Sequence, residues 1–497
     1  METHIFPLEI LSDIFLYSLP NFPDQVLSLH SAPLVLTQVS REWRALARCI
    51  PELWAQIRLP DTENWSDAAL ASLFAELGTW LRLSRSSLLS IHLATHDPRG
   101  YTRYLNVLSV HSRRWKDVHM ELAPGHYLPP ISLLAVPFLE RFTLKAKLSA
   151  ENAEALKESL RFAPSLHAID VEWHPGWSLP WPKMTQLAMH ADESLPIFDL
   201  AQLTSHLSQC NVLSSLKLAA IDYDDFVGTA LTAELPQLQV LDAALEDPVV
   251  LGSFLRTIAA PQLHTLRLCT RDAVELFSSG NLHIGLREML SRCSLTLHVF
   301  ELTSRWVSDG LLIEALRNMP NLSYLSLKSM PLSRATLEAL TSRWTHEGKL
   351  TSGLCTKLEH LHLRTDDHTP NFPYEQLASL VESRRRVVPD SFHANTPDAP
   401  VVARLTSFEM ADHDNTLVLR DVAMKDCVGS STDKMFLGAG NNGALRLSSL
   451  NSEERLPDVL DQPRRLHLHR PSDISYVLRP QRTSTFEGTE DAMEHMT

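Results

Sequence analysis

Histidine is abundant in this chain of 497 residues, with 23 copies, and spacing decides what those copies could do. A metal hydrolase needs HExxH, or a Cys/His set at zinc spacing, and neither occurs. His360 and His362, like His467 and His469, sit two apart on segments expected to be strands. Each pair shares a face, but two imidazoles without a third ligand read as surface residues rather than as a metal site. Asp366-Asp367-His368 reads as a loop. The six cysteines, at 49, 210, 269, 293, 355 and 427, form no CxxC pair. No GxSxG appears, and SxxK occurs at Ser214/Lys217 and Ser431/Lys434. The first lies on an expected strand, where i and i+3 point to opposite faces, and neither comes with SDN or KTG. Gly438, Gly440 and Gly443 form a GxGxxG, but Pro457 and Pro463 break the stretch that would have to complete a βαβ unit. That segment reads as a turn. The expectation is a chain with no catalytic residue, no metal and no cofactor.

Composition narrows the classes further. The chain is 44% apolar and 21% charged, in the range of core-forming proteins. With 45 Lys+Arg against 59 Asp+Glu, the net charge is −14. A general attraction to nucleic acid or to anionic lipid is therefore not expected. The triplet Arg384-Arg385-Arg386 closes an expected helix, where cations complement the negative end. No stretch approaches the ~18 apolar residues of a membrane span. Glu9 and Asp13 interrupt the apolar N-terminus, which also lacks the basic start of a secretory signal. The chain reads as a cytoplasmic or nuclear protein, so the sequons at Asn64 and Asn321 are expected to stay unmodified.

The elements that could carry a function begin at the N-terminus. In PLEILSDIFLYSL, Leu8, Leu11 and Phe15 follow helical spacing, Ile10 and Ile14 widen the stripe, and Pro20 stops it. LVLTQVSREWRALARCI then places Leu36, Val39, Trp43 and Leu46 on one face, before Leu53 and Trp54 in a third short segment. Three short helices this rich in large apolar groups cannot bury all of them alone, which predicts a partner surface.

These residues carry a resemblance. Pro7, Glu9, Ile10, Leu11, Ile14, Phe15, Leu19, Val39, Trp43, Leu46, Leu53 and Trp54 stand where the F-box pattern has its characteristic positions, as at the start of many fungal F-box proteins. Phe6 replaces the usual leucine, Ser40 stands where cysteine is common, and the link from Leu19 to Val39 is longer than usual. The resemblance implies that the helices dock on the Skp adaptor of an SCF-type ubiquitin ligase, and through it on cullin. It also implies that the twelve positions form or support that interface.

The rest of the chain repeats one pattern, apolar-x-x-apolar-x-apolar, twelve times between Leu88 and Met410. Most intervals fall at about 25 to 29 residues, the leucine-rich-repeat range. Pro137, Pro164, Pro236, Pro261 and Pro320 each precede a unit by two residues. Helical patterns lie between units, such as AENAEALKESLRF and YEQLASLVESRRR. The asparagine that would build a side-chain ladder is missing at every expected position, among them His96, Lys147 and Arg271. Loop backbone groups must then find other partners, which predicts irregular turns. The expected fold is α/β: a three-helix F-box capping a curved, irregular leucine-rich-repeat-like solenoid with a parallel sheet on its concave face. The expected domains are 1–60, 61–424 and, richer in Ser, Asp, Pro and Arg, a C-terminal cap and tail over 425–497.

Between the last two apolar positions of each unit, one residue must point to the other face of its strand. That column reads His92, His119, Thr143, Asp170, Ala188, Lys217, Asp242, Arg267, Glu301, Ser326, His362, Glu409. Mixed charge suits a protein target better than a polyanion. His119, Asp170, Lys217, Asp242, Arg267, Glu301 and His362 are the candidate contacts. The expected role is the substrate-recognition subunit of an SCF-type ligase, non-catalytic, holding an unknown protein target. The alternative is a structural interaction scaffold that never joins a ligase.

Overall fold

The computed structural model describes residues 7–19, 32–122, 134–174, 176–191, 200–220, 232–270, 280–330, 332–344, 350–364, 373–385, 402–403, 405–412, 415–420, 435–439 and 445–449. Met1–Ser449 forms one compact unit. Ser431/Lys434, Asp366 to His368, Arg386, His467/His469 and the tail beyond Ser449 lie outside the described residues, so the readings made of them stop at the sequence.

Fourteen strands make one sheet, and their order across it is their order along the chain. They are β1 (Gln56–Leu59), β2 (Leu89–Thr95), β3 (Trp115–Leu122), β4 (Arg141–Lys145), β5 (Ala168–Glu172), β6 (Gln186–Ala191) and β7 (Ser215–Ala220). Then come β8 (Val240–Leu245), β9 (Thr265–Cys269), β10 (Val299–Thr303), β11 (Tyr324–Lys328), β12 (His360–Arg364), β13 (Ser407–Asp412) and β14 (Asn415–Arg420). The first thirteen run parallel, and β14 turns back antiparallel on β13. A parallel neighbour cannot follow through a tight turn, so each strand needs a crossover, and helices supply most of them.

The twelve repeat units are the twelve strands β2 to β13. In each, the last two apolar positions, such as Leu216/Leu218 and Leu325/Leu327, are buried. Helices present their apolar stripes to the same core: Leu156 and Leu160 from Ala150–Arg161, Leu311 and Leu312 from Asp309–Arg317, Leu377 and Leu380 from Tyr374–Arg385. The periodicity did not indicate the helices Asp67–Leu83, Pro98–Ser109, Gly280–Cys293 and Arg334–Leu340, nor the edge strands β1 and β14. Between β5 and β6 the interval is too short for an α-helix. A single 3-10 turn, Trp181–Lys183, takes its place, and Trp173, Trp177 and Trp181 are buried in this connection.

Without an asparagine ladder, the turns are satisfied by dissimilar groups. A backbone ladder precedes the strands, with the His264 N–H donating to Gln239 O, His298 to His264 O, and Ser323 to His298 O, each at 2.9 Å. Side chains do the rest, each in its own way. Buried Glu172 accepts from Leu148 N–H at 3.0 Å, and Arg292 donates to Ile258 O at 2.6 Å. Arg384 is the largest departure from expectation. Its side chain is not a solvated helix-end cation but is buried, donating to the carbonyls of Leu340 at 2.8 Å, Cys355 at 2.9 Å and Leu354. Of the GxGxxG segment, Gly438 lies in Met435–Ala439, which pairs antiparallel with Leu445–Ser449, while Gly440 and Gly443 lie outside the described residues.

Candidate functional site: a register-aligned polar row

The outward column of the repeat forms one continuous row. His92 pairs with His119, His119 with Thr143, Thr143 with Asp170, and Asp170 with Ala188. The row continues through Lys217, Asp242, Arg267, Glu301, Ser326 and His362 to Glu409. Parallel strands in unbroken register set equivalent residues side by side on one face, so a pattern spread over more than 300 residues becomes one line. Arg58 of β1 extends the row beyond His92. Lys217 and Arg267 are exposed, Ser326 is buried, and the other named polar members are half-buried.

Neighbouring charges answer one another along the row. Arg267 donates to Glu301 Oε1 at 2.7 Å, which together with Asp242 holds its guanidinium above the usual arginine range. Asp242 is shifted upward by burial, opposed by Lys217 and Arg267 beside it. His362 sits 3.3 Å from Glu409, yet burial outweighs that carboxylate and shifts the imidazole downward. Asp170 approaches His190 at 3.7 Å.

The β2–β7 half of the row opens into a cavity of about 480 Å³, lined by His92, His119, Asp170 and Lys217 among others. His92 and His119 stack at 4.5 Å with rings 2° from parallel. Burial, then the neighbouring His119 and Arg58, lowers His92 to about 4, and burial also lowers His119. Both shifts favour neutral, stacked rings over cations near pH 7. Asp117 and Arg141 stand beside them, in an ion pair of 2.5 Å. Neither was among the residues singled out from the sequence. They lie two positions before His119 and Thr143 on the same face, so the alternation that gave the column would have given them as well.

Apart from this face, the N-terminal helices divide their apolar residues into two sets. Phe15, Leu53 and Trp54 are buried within the chain's own core, so of the twelve positions expected to form or support an interface these three are placed to support and not to form a contact surface. Phe15 packs on Trp43 at 4.8 Å, and the Trp54 indole donates to Ala47 O at 2.9 Å and meets Trp80 edge-on at 5.0 Å. Leu11, Leu19, Trp43 and Leu46 are half-buried, and Pro7 and Glu9 are exposed. Leu8 (56% exposed), Ile10 (45%), Ile14 (44%) and Val39 (59%) stand in solvent.

Three of the described acids and imidazoles, Asp61, Glu63 and His96, approach metal-ligand spacing. Asp61 already accepts from Thr95 Oγ1, from the His96 N–H and from the Glu63 N–H, and pairs with His96 Nδ1 at 2.6 Å. That is a loop clasp with its lone pairs engaged. No helix among the described residues is long and apolar enough to cross a membrane. No protein-family model matches the chain, and no curated protein matches it either.

Proposed function

We propose that this chain is a non-catalytic receptor: F-box-like N-terminal helices seat on a Skp-type adaptor, and the polar row of a leucine-rich-repeat-like solenoid holds a protein target. The observation that carries the reading is the set Leu8, Ile10, Ile14 and Val39, exposed on helices whose opposite side is anchored by Phe15, Leu53 and Trp54. Scattered exposed apolar residues are ordinary, but four on one short three-helix module suit a covered face. A rigid seat at one end and a binding row along the sheet would act by position, raising the effective concentration of target near a ubiquitin-loaded enzyme. The row's alternating charges would set register with a protein surface of complementary sign.

The exposed set also gives the cleaner experiment. Ile10→Asp with Ile14→Asp should abolish co-purification with a Skp-type adaptor while leaving the melting temperature unchanged. Phe15→Ala would confound that test, because it empties a site in the core. Undiminished adaptor binding by the double variant would remove the interface from these helices. Adaptor recovered without cullin would favour the scaffold reading.

A further inference from the structure

A second cavity, of about 770 Å³, lies where the N-terminal helices meet the helix Asp67–Leu83. Its lining joins Leu34, Trp54, Trp80 and Leu83 with three arginines, Arg48, Arg82 and Arg85. Elsewhere in the molecule, arginines are commonly engaged. Arg141, Arg267 and Arg287 meet carboxylates, while Arg114, Arg292 and Arg384 donate to carbonyls. No described residue takes a hydrogen bond or ion pair from the side chains of Arg48, Arg82 or Arg85.

Helix ends account for part of this arrangement. Arg48 closes Arg41–Cys49 and Arg82 closes Asp67–Leu83, so each complements a negative helix end. A helix end offers only about half a charge, however. Against the three exposed arginines, two such ends and the one lining carboxylate, Glu76, supply about two negative charges, which leaves about one positive charge in excess. Like charges gathered on one cavity repel, and a bound anion relieves that repulsion. Guanidiniums match carboxylate and phosphate geometry in particular. The aromatic and aliphatic part of the lining asks for an apolar body on the same ligand, and the volume is that of a small-molecule site.

We infer that this cleft binds a small organic anion, a carboxylate or phosphate carried on an aromatic or aliphatic body. The inference does not depend on adaptor binding, since it concerns the inner junction of the helices rather than the exposed set.

Isothermal titration of the full chain with 4-phenylbutanoate, 4-phenylbutyl phosphate, 4-phenylbutanol and inorganic phosphate tests it. Either or both amphipathic anions should bind, and which one does identifies the head group. The alcohol and inorganic phosphate should bind at least about tenfold more weakly, since each lacks half of the recognition. Arg82→Gln with Arg85→Gln should weaken the anions by about tenfold or more, while Arg41→Gln, on an exposed residue outside the lining, should not. Circular dichroism of the variants separates lost binding from lost folding. Equal binding of the alcohol, undiminished binding by the folded arginine variant, or binding only of an acidic peptide such as Glu-Glu-Leu-Glu-Glu would overturn the inference.

Discussion

Arg384 shows how one side chain can do the work of a missing ladder. Burial draws its guanidinium down to about 10, so it remains charged near neutrality, and the carbonyls of Leu340, Leu354 and Cys355 receive it. These carbonyls come from a turn and a helix end that have no repeating partner. Arg384→Met keeps the stem but strands the carbonyls, and should cost at least about 2 kcal/mol in urea unfolding. Arg384→Lys should recover only part, since one ammonium cannot span three acceptors. A Met variant as stable as the parent would show that the carbonyls find water instead. His92 carries a pH prediction of known sign. Its folded value of about 4 lies below the ordinary imidazole value of 6.5, so between those values the unfolded chain binds more protons. The contribution of His92 is therefore full above pH 6.5 and is lost as the pH falls toward 4. Denaturant midpoints measured from pH 7.5 to 4.5 should decline, and His92→Gln should flatten part of that slope. An identical slope in the variant would place the titration elsewhere.

Among the elements, Pro248–Thr257 and Gly280–Cys293 approach each other closely at their glycines. A Cβ on Gly285 would run into the Gly252 backbone, and one on Gly252 would meet the backbone of Asn281 and Leu282. These helices thus pack backbone to backbone through two residues without side chains, and Gly285→Ala should force them apart at about 1–3 kcal/mol. Thermal melting checks this, with Gly78→Ala as the comparison, since nothing lies near its Cβ position. A Gly285→Ala protein melting with the parent would mean that the helices slide freely. The same region shows what the sequence could and could not say. The strands were legible because apolar-x-x-apolar-x-apolar writes the buried face directly, and their outward residues came with it, through to Glu409. Gly280–Cys293 was not, since Gly280, Asn281 and Gly285 disguise a helix whose stripe is made by packing. Strand β1 was hidden by its brevity and by following Trp54 without a turn signal. The division of the N-terminal helices into Phe15 inside and Ile14 outside was also beyond periodicity. Both residues are apolar and adjacent, and only the position of the core decides between them.

At the scale of the molecule, the order of strands across the sheet predicts how stability is distributed. Each inner strand is paired with the strands just before and after it in the chain, and β7 with β8 is as regular as β11 with β12. Stability in such an array is a sum of local terms and nearest-neighbour terms, so a strand is held by how many neighbours must open first. Strand β1 has only β2 beside it, and β14 has only β13, whereas β5 to β10 lie furthest from either edge. Native-state hydrogen exchange should therefore be slowest for amides such as those of Leu241, Leu266 and Phe300, and should quicken stepwise toward both edges. The N-terminal helices should shift this profile at one edge only. Phe15, Leu53 and Trp54 share one apolar core with Ile57 and Leu59 of β1, so Leu53→Ala should speed exchange in β1 and β2 and leave β9 to β11 unchanged. If that substitution instead raised exchange equally over all strands, the unit would open as a whole, and the nearest-neighbour account of its stability would be wrong.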